Sequence, residues 1–197
     1  MTQLQTFKRA RNQAEKDTRR RRILNAALAL YEDVGLDNVR VDAIAKQAGI
    51  AKGTVYLYFS SREAIFIELY EEAFADWLIG FARLPALSAA DAQQKTAAII
   101  AQHFITSERF AALHSALAHS LWSKLSAQDK ADAAGVIEPG HYALTDFLAR
   151  VLKLPAKRAQ EHAHATLAVL AGYHQMAVIS GPNPQLLEDM LSRQLRG

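Results

Sequence analysis

The sequence predicts an all-α protein, and three observations carry that expectation. Apolar residues recur at three- and four-residue spacing along nearly all of the 197 residues. No run alternates apolar with polar residues as a half-buried strand would. Helix punctuation is frequent, from Gly35 and Gly49 to the run Ser180-Gly181-Pro182-Asn183-Pro184.

Segment 1–17 is expected as a flexible basic arm. It holds Lys8, Arg9, Arg11 and Lys16 ahead of Arg19 to Arg22, opposed only by Glu15 and Asp17. A first helix over 18–34 gathers Ile23, Ala27, Leu30, Tyr31 and Val34 on one face, and Gly35 ends it. Two short helices follow at 41–48 and 52–59. Ser60 and Glu63 form an S-x-x-E capping box that starts a long helix reaching about residue 83. The proline-containing stretch 84–88 marks a break.

Further helices are expected over 89–106, 108–125, 127–134 and 140–152. The helix over 156–180 is apolar nearly all round, which implies burial on more than one side. Asn183 caps the last helix, 184–195, and Pro184 opens it. That helix is amphipathic through Leu186, Leu187, Met190, Leu191 and Leu195. Its apolar face fits either a helical seam between two copies or packing within one chain.

Composition excludes several classes of function. Cysteine is absent, which removes a disulfide framework, a zinc ribbon and a thiol nucleophile. The first 22 residues are polar and basic, without the apolar core of a secretory signal. The longest charge-free stretch, 163–184, is interrupted by His164, His174, Gln175 and Asn183, so it reads as a buried helix rather than a membrane span. These features predict a cytoplasmic protein with no membrane partner. Charge is uneven: residues 1–62 carry 12 Lys/Arg against 6 Asp/Glu, and residues 63–197 carry 11 against 14. A basic end suggests an anionic partner, or a solvated basic tail.

Within 41–60 the constraints of a helix-turn-helix coincide. Ile44 and Ala48 are spaced by four, Ala45 is small where a second helix must pass, and Gly49 sits in the turn. Ile50 plugs the corner, and Val55 and Phe59 point inward together. This pattern behind a basic segment points to DNA binding.

The stretch from Arg22 to Tyr70 also resembles the N-terminal domain of TetR/AcrR-type repressors. The most specific part is Gly49-Ile50-Ala51-Lys52-Gly53-Thr54-Val55-Tyr56-Leu57-Tyr58-Phe59, followed by Ser61-Arg62-Glu63. The resemblance implies an N-terminal three-helix helix-turn-helix domain over 18–70, with its motif at 41–60. It would be joined to a C-terminal helical ligand-binding and dimerisation domain over 71–197. The implied partners are double-stranded operator DNA, a small apolar or amphipathic effector, and a second copy met through 156–180 and 184–195. Ligand binding would change the spacing of the two DNA-reading heads and release the repressor.

Carried over by position, Thr54 and Tyr58 would contact phosphates or base edges, and Lys52 and Gly53 would bring the reading helix close to the groove. Tyr56 would approach the backbone, unless its ring packs in the domain core. Arg62 stands where the family typically has a phosphate-binding lysine. The chain departs from the family at both helix N-caps, where Arg40 and Ala51 replace hydroxyl residues. Such a replacement typically costs about 1 kcal/mol. Asp42 would offset part of this through the helix dipole, and Arg40 would supply a phosphate contact as a cation.

An apolar effector pocket is expected from Trp77, Phe104, His119, Trp122, Tyr142, Phe147, Tyr173 and His174, unless these are ordinary core. All seven histidines fall between His103 and His174, but none are spaced by four on one helix, so neither a metal site nor a cofactor is expected. No nucleophile elbow, phosphate loop or dinucleotide fingerprint is present, so the chain does not read as an enzyme. The competing class is an architectural protein that coats DNA through its basic arm without an effector.

Overall fold

The computed structural model describes residues 3–82 and 91–196, with side chains described for 13–81 and 91–196. No strand occurs among the described residues, as the spacing predicts. The chain divides into two compact units, Met1–Leu69 and Tyr70–Gly197.

In the first unit, α1 runs over Gln3–Val34. Helix therefore covers most of the segment expected as a flexible arm. That segment holds neither Gly nor Pro and is rich in Gln, Arg, Lys and Glu, all good helix formers. The Gln13 side chain donates to Asp17 over 2.8 Å, and the Thr18 hydroxyl donates back to the Ala14 carbonyl at 2.7 Å instead of starting a helix. The side chains of Lys8, Arg9 and Arg11 lie outside the described residues.

Gly35, with φ 74°, ends α1, and a 3₁₀ turn over Leu36–Asn38 leads to α2, Val41–Ala48. Next come α3, Lys52–Tyr56, which is shorter than expected, and α4, Arg62–Ala82. The cap of α4 is Ser61 rather than Ser60: its hydroxyl accepts the Ala64 N–H at 3.1 Å. The helix starts at Arg62, one residue later than a cap at Ser60 requires, and Glu63 bonds Arg62. Ile23, Leu24, Ala27, Ile44, Val55, Phe59, Ile65 and Phe66 form the core of this unit. Val34, at the last position of α1, is largely exposed.

In the second unit α5 covers Ala92–Thr106 and α6 covers Glu108–Ala116. The expected break at 84–88 and the first residues of the helix expected from 89 lie outside the described residues. A π-helical turn, Leu117–Leu121, joins α6 to a short α7, Trp122–Lys124. Then follow α8, Ala127–Leu152, α9, Ala156–Ser180, and α10, Pro184–Gln194.

The two helices expected over 127–134 and 140–152 are one. α8 passes through Pro139. A proline ring crowds the carbonyl four residues back, which here belongs to Gly135. Gly140 is needed for packing rather than for a turn, since a Cβ there would lie 2.5 Å from the Phe74 ring.

Asn183 caps α10 through the Leu186 N–H at 3.1 Å, and its own N–H donates to the Tyr173 hydroxyl at 2.8 Å. On the apolar face of α10, Leu187, Leu191 and Leu195 are buried, with α5 and α9 as the neighbouring helices, while Met190 is half-buried and Leu186 is exposed. α9, expected to be buried on more than one side, packs against α6, α8 and α10 and leaves Ala168, Gly172, Val178 and Ile179 exposed. The core of this unit is aromatic: Phe110 stacks on Phe74 at 5.2 Å and on Trp77 at 4.6 Å, and Phe81 meets Trp77 edge-on. No helix among the described residues is long and apolar enough to cross a membrane.

Candidate functional site

The turn between α2 and α3 is built on Gly49, whose φ of 65° and ψ of 39° lie in the left-handed region that glycine enters cheaply. The Ile50 N–H then reaches back to the Ala45 carbonyl at 3.0 Å. Ile44, Ala45 and Ala48 of α2 are buried, as are Val55 and Phe59, so the inward side follows the spacing in the sequence. Ile50, expected to plug the corner, is half-buried.

With Val55 fixed inward, α3 must turn its other side to solvent. Lys52 and Gly53 are exposed, Tyr56 is 49% exposed and Leu57 is 82% exposed. The Tyr56 ring is therefore not part of the core. Thr54 and Tyr58 are half-buried at the edges of this face. Leu57 is the surface residue that the sequence did not lead one to expect. Its signal was an apolar side chain out of phase with the Val55–Phe59 pair. Arg40 and Ala51 occupy the two N-cap positions without any side-chain cap bond, Arg40 is exposed, and Asp42 stands in the first turn of α2.

Three arginines credited with DNA contact or arm charge prove to be internal ties. Arg20 pairs with Glu68, donates to the Tyr58 carbonyl at 3.0 Å, and lies over the Phe59 ring. Arg22 donates to the Ala48 carbonyl at the end of α2, 2.6 Å away. Arg62 donates to the carbonyls of Leu36 and Val39, both at 3.1 Å, and pairs with Glu63. Its fork thus stitches the 3₁₀ turn to α4, and the side chain is only 16% exposed. A guanidinium bound this way has little left to offer a phosphate.

A cavity of about 450 Å³ opens in the second unit. Its wall includes Tyr70, His114, Leu117, Trp122, Ile137, His141, His164 and Leu167, with Ala118, Ala134, Ala168 and Ala171 between them. Of the residues expected to line a pocket, Trp122 alone is in the wall of this cavity. Trp77, Phe104, Phe147 and Tyr173 are buried core, and Tyr142 is exposed. The His119 ring bonds the Ser115 carbonyl, and His174 meets Phe104 edge-on. Large aromatics fill space, so they mark where the core is full. The cavity lies where alanines leave space.

Burial holds the His114 imidazole well below its ordinary range, at about 4, with His141, His174 and His119 contributing in the same sense. His141 is also lowered, first by burial and then by His164 beside it, while Glu138 opposes the shift. No cluster of three or more metal-ligating side chains occurs among the described residues.

A glycine-turned pair of helices with a buried inner side and a solvent-facing second helix defines a helix-turn-helix protein. Residues 23–69 match the model of the bacterial regulatory proteins of the tetR family, and this domain is of the TetR type. A curated relative, the fatty acid metabolism regulator protein of Bacillus subtilis, is 37% identical over 82 residues. The match covers 42% of this chain and 42% of that protein, so less than half the relative's length is spanned. Solved structures share the fold over most of the chain. A TetR transcriptional regulator from Rhodococcus sp. RHA1 aligns with TM-score 0.69 and 22% identity, covering 92% of this chain and 96% of that one. The regulator FadR from Bacillus subtilis, solved with stearoyl-CoA, aligns with TM-score 0.60 and 20% identity, covering 88% and 96%.

Proposed function

We propose that the chain is a sequence-specific, DNA-binding transcriptional regulator, acting as a homodimeric repressor that a small apolar or amphipathic ligand releases from its operator. One observation carries this reading: α3 anchors Val55 inward and presents Lys52, Gly53, Tyr56 and Leu57 outward. That surface suits the major groove, where a cation and hydroxyls meet phosphates and an apolar side chain meets a thymine methyl group. Thr54 and Tyr58 flank it, and Arg40 adds a cation free of any cap bond. Arg62 drops out of the proposed contact set, because its fork is engaged within the domain.

The cavity supports the effector half of the reading, as do relatives named as regulators, one of them solved with an acyl-CoA. For the second copy, the exposed Gly172, Val178 and Ile179 of α9 and Leu186 of α10 offer an apolar surface. The location that goes with this function is the cytoplasm.

The test is selection of bound fragments from random DNA by the purified chain. A regulator recovers a palindromic site preferred by roughly 10³ or more over random sequence. Binding without such preference would make the protein architectural and sink the proposal.

A further inference from the structure

The cavity wall has a donor set that restricts what can bind. Among the described residues no Lys or Arg lines it, and one carboxylate does, that of Glu138, which repels anions. The His114 Nε2 lies 2.8 Å from the Leu167 carbonyl, which can only accept, so Nε2 carries the proton. In the neutral ring this leaves Nδ1 as a bare acceptor, and that atom is buried without a partner. The Tyr70 hydroxyl is buried and unpartnered too, and burial pushes its phenol up, so it stays a donor. The two rings stack at 5.8 Å with an interplanar angle of 20°. Other buried unpartnered atoms, such as Trp77 Nε1 and Thr96 Oγ1, belong to residues that do not line the cavity.

From this wall we infer that the ligand is a neutral, largely apolar molecule with a hydrogen-bond donor such as a hydroxyl. Both atoms are closed to solvent, so a small shift of the stacked rings brings the ligand's donor to Nδ1 of His114 and lets Tyr70 donate to an acceptor on the same ligand. A carboxylate is the wrong class, since it brings negative charge to a wall with no described cation and leaves Nδ1 unpaired. The inference rests on the reading of this cavity as the effector site.

The test uses the full chain and three matched probes, 4-butylphenol, butylbenzene and 4-butylbenzoate, titrated at pH 7.5 by calorimetry. The phenol is expected to bind at least tenfold more tightly than either of the others. In His114→Phe its advantage over butylbenzene should vanish while butylbenzene still binds, which shows that the variant is folded. Tighter binding of the benzoate, or a phenol preference that survives in His114→Phe, would overturn the ligand class and leave the effector reading standing. Binding of none of the three would overturn both. A phenol preference with no effect on operator affinity would support the ligand class and remove the effector role.

Discussion

The guanidinium carbon of Arg20 lies 4.4 Å from the centroid of the Phe59 ring, while its nitrogens hold Glu68 and the Tyr58 carbonyl. One side chain on α1 thereby fixes both the residue that anchors the end of the motif and the helix that follows. Lysine keeps the charge but cannot fork. Arg20→Lys should therefore cost about 1–2 kcal/mol of stability in the first unit, read as a lower urea midpoint for the exchange protection of α3. Removing the charge with Arg20→Gln should leave the salt dependence of DNA binding as it was, and a flattened slope would mean that Arg20 faces phosphate instead.

Arg40 and Arg62 should separate in the same experiment. Arg40 is exposed at a helix start without a cap bond. Arg40→Ala should therefore flatten the slope of log K against log salt by about 0.9 for each phosphate that is no longer neutralised. Arg62→Gln should leave that slope alone and lower stability, because the carbonyls of Leu36 and Val39 are deprived of their donor. The opposite pattern would restore Arg62 as the phosphate ligand.

His114 makes stability depend on pH with a definite sign. Its ordinary value is 6.5 and its folded value is about 4. Between these two, the unfolded chain binds the proton and the native chain does not. The stability contribution is therefore complete above about 6.5 and is lost as pH falls toward 4, by roughly 3 kcal/mol. His141, His162 and His174 shift in the same direction, so the comparison to make is with His114→Phe. Urea midpoints from pH 7.5 to 4.5 should fall less steeply in that variant. Parallel curves would show that His114 already titrates normally.

Two residues in the same left-handed conformation should respond with opposite sign. Lys153, which ends α8 at φ 54°, carries a Cβ that this region disfavours, so Lys153→Gly should stabilise by about 1 kcal/mol and raise the melting temperature. Gly49→Ala should lower it, because the new Cβ would also press on Arg22 Nη2 at 3.0 Å.

The helix-turn-helix was legible because its constraints are local. The glycine in the turn, the small residue before it and the Val55–Phe59 pair lie within a few residues of one another, and one helical period relates them. The internal bonds of Arg20, Arg22 and Arg62 were not legible, because charge can be counted in a sequence but the partner of a guanidinium cannot. Apart from Glu63, which adjoins Arg62, their acceptors lie between 23 and 48 residues away. Pro139 misled for a similar reason: a proline signals a break locally, whereas the close packing of Gly140 on Phe74 beside it is a tertiary fact that spacing does not reveal. The cavity was missed because emptiness has no residue of its own. Its clue was alanine at 118, 134, 168 and 171, on elements whose approach no spacing reveals.

The π-helical turn over Leu117–Leu121 puts Leu117 into the cavity wall, with Trp122 directly after it. A wider turn holds one residue more than the regular helix around it. In an ordinary helix, adding or removing a single residue rotates everything beyond it by about 100°. Here a one-residue deletion is absorbed by the turn itself, which tightens to a regular helix while α6 and the segments after it keep their register. This stretch is therefore where descendants of the chain could reshape their binding chamber by insertion or deletion, with the rest of the fold left intact.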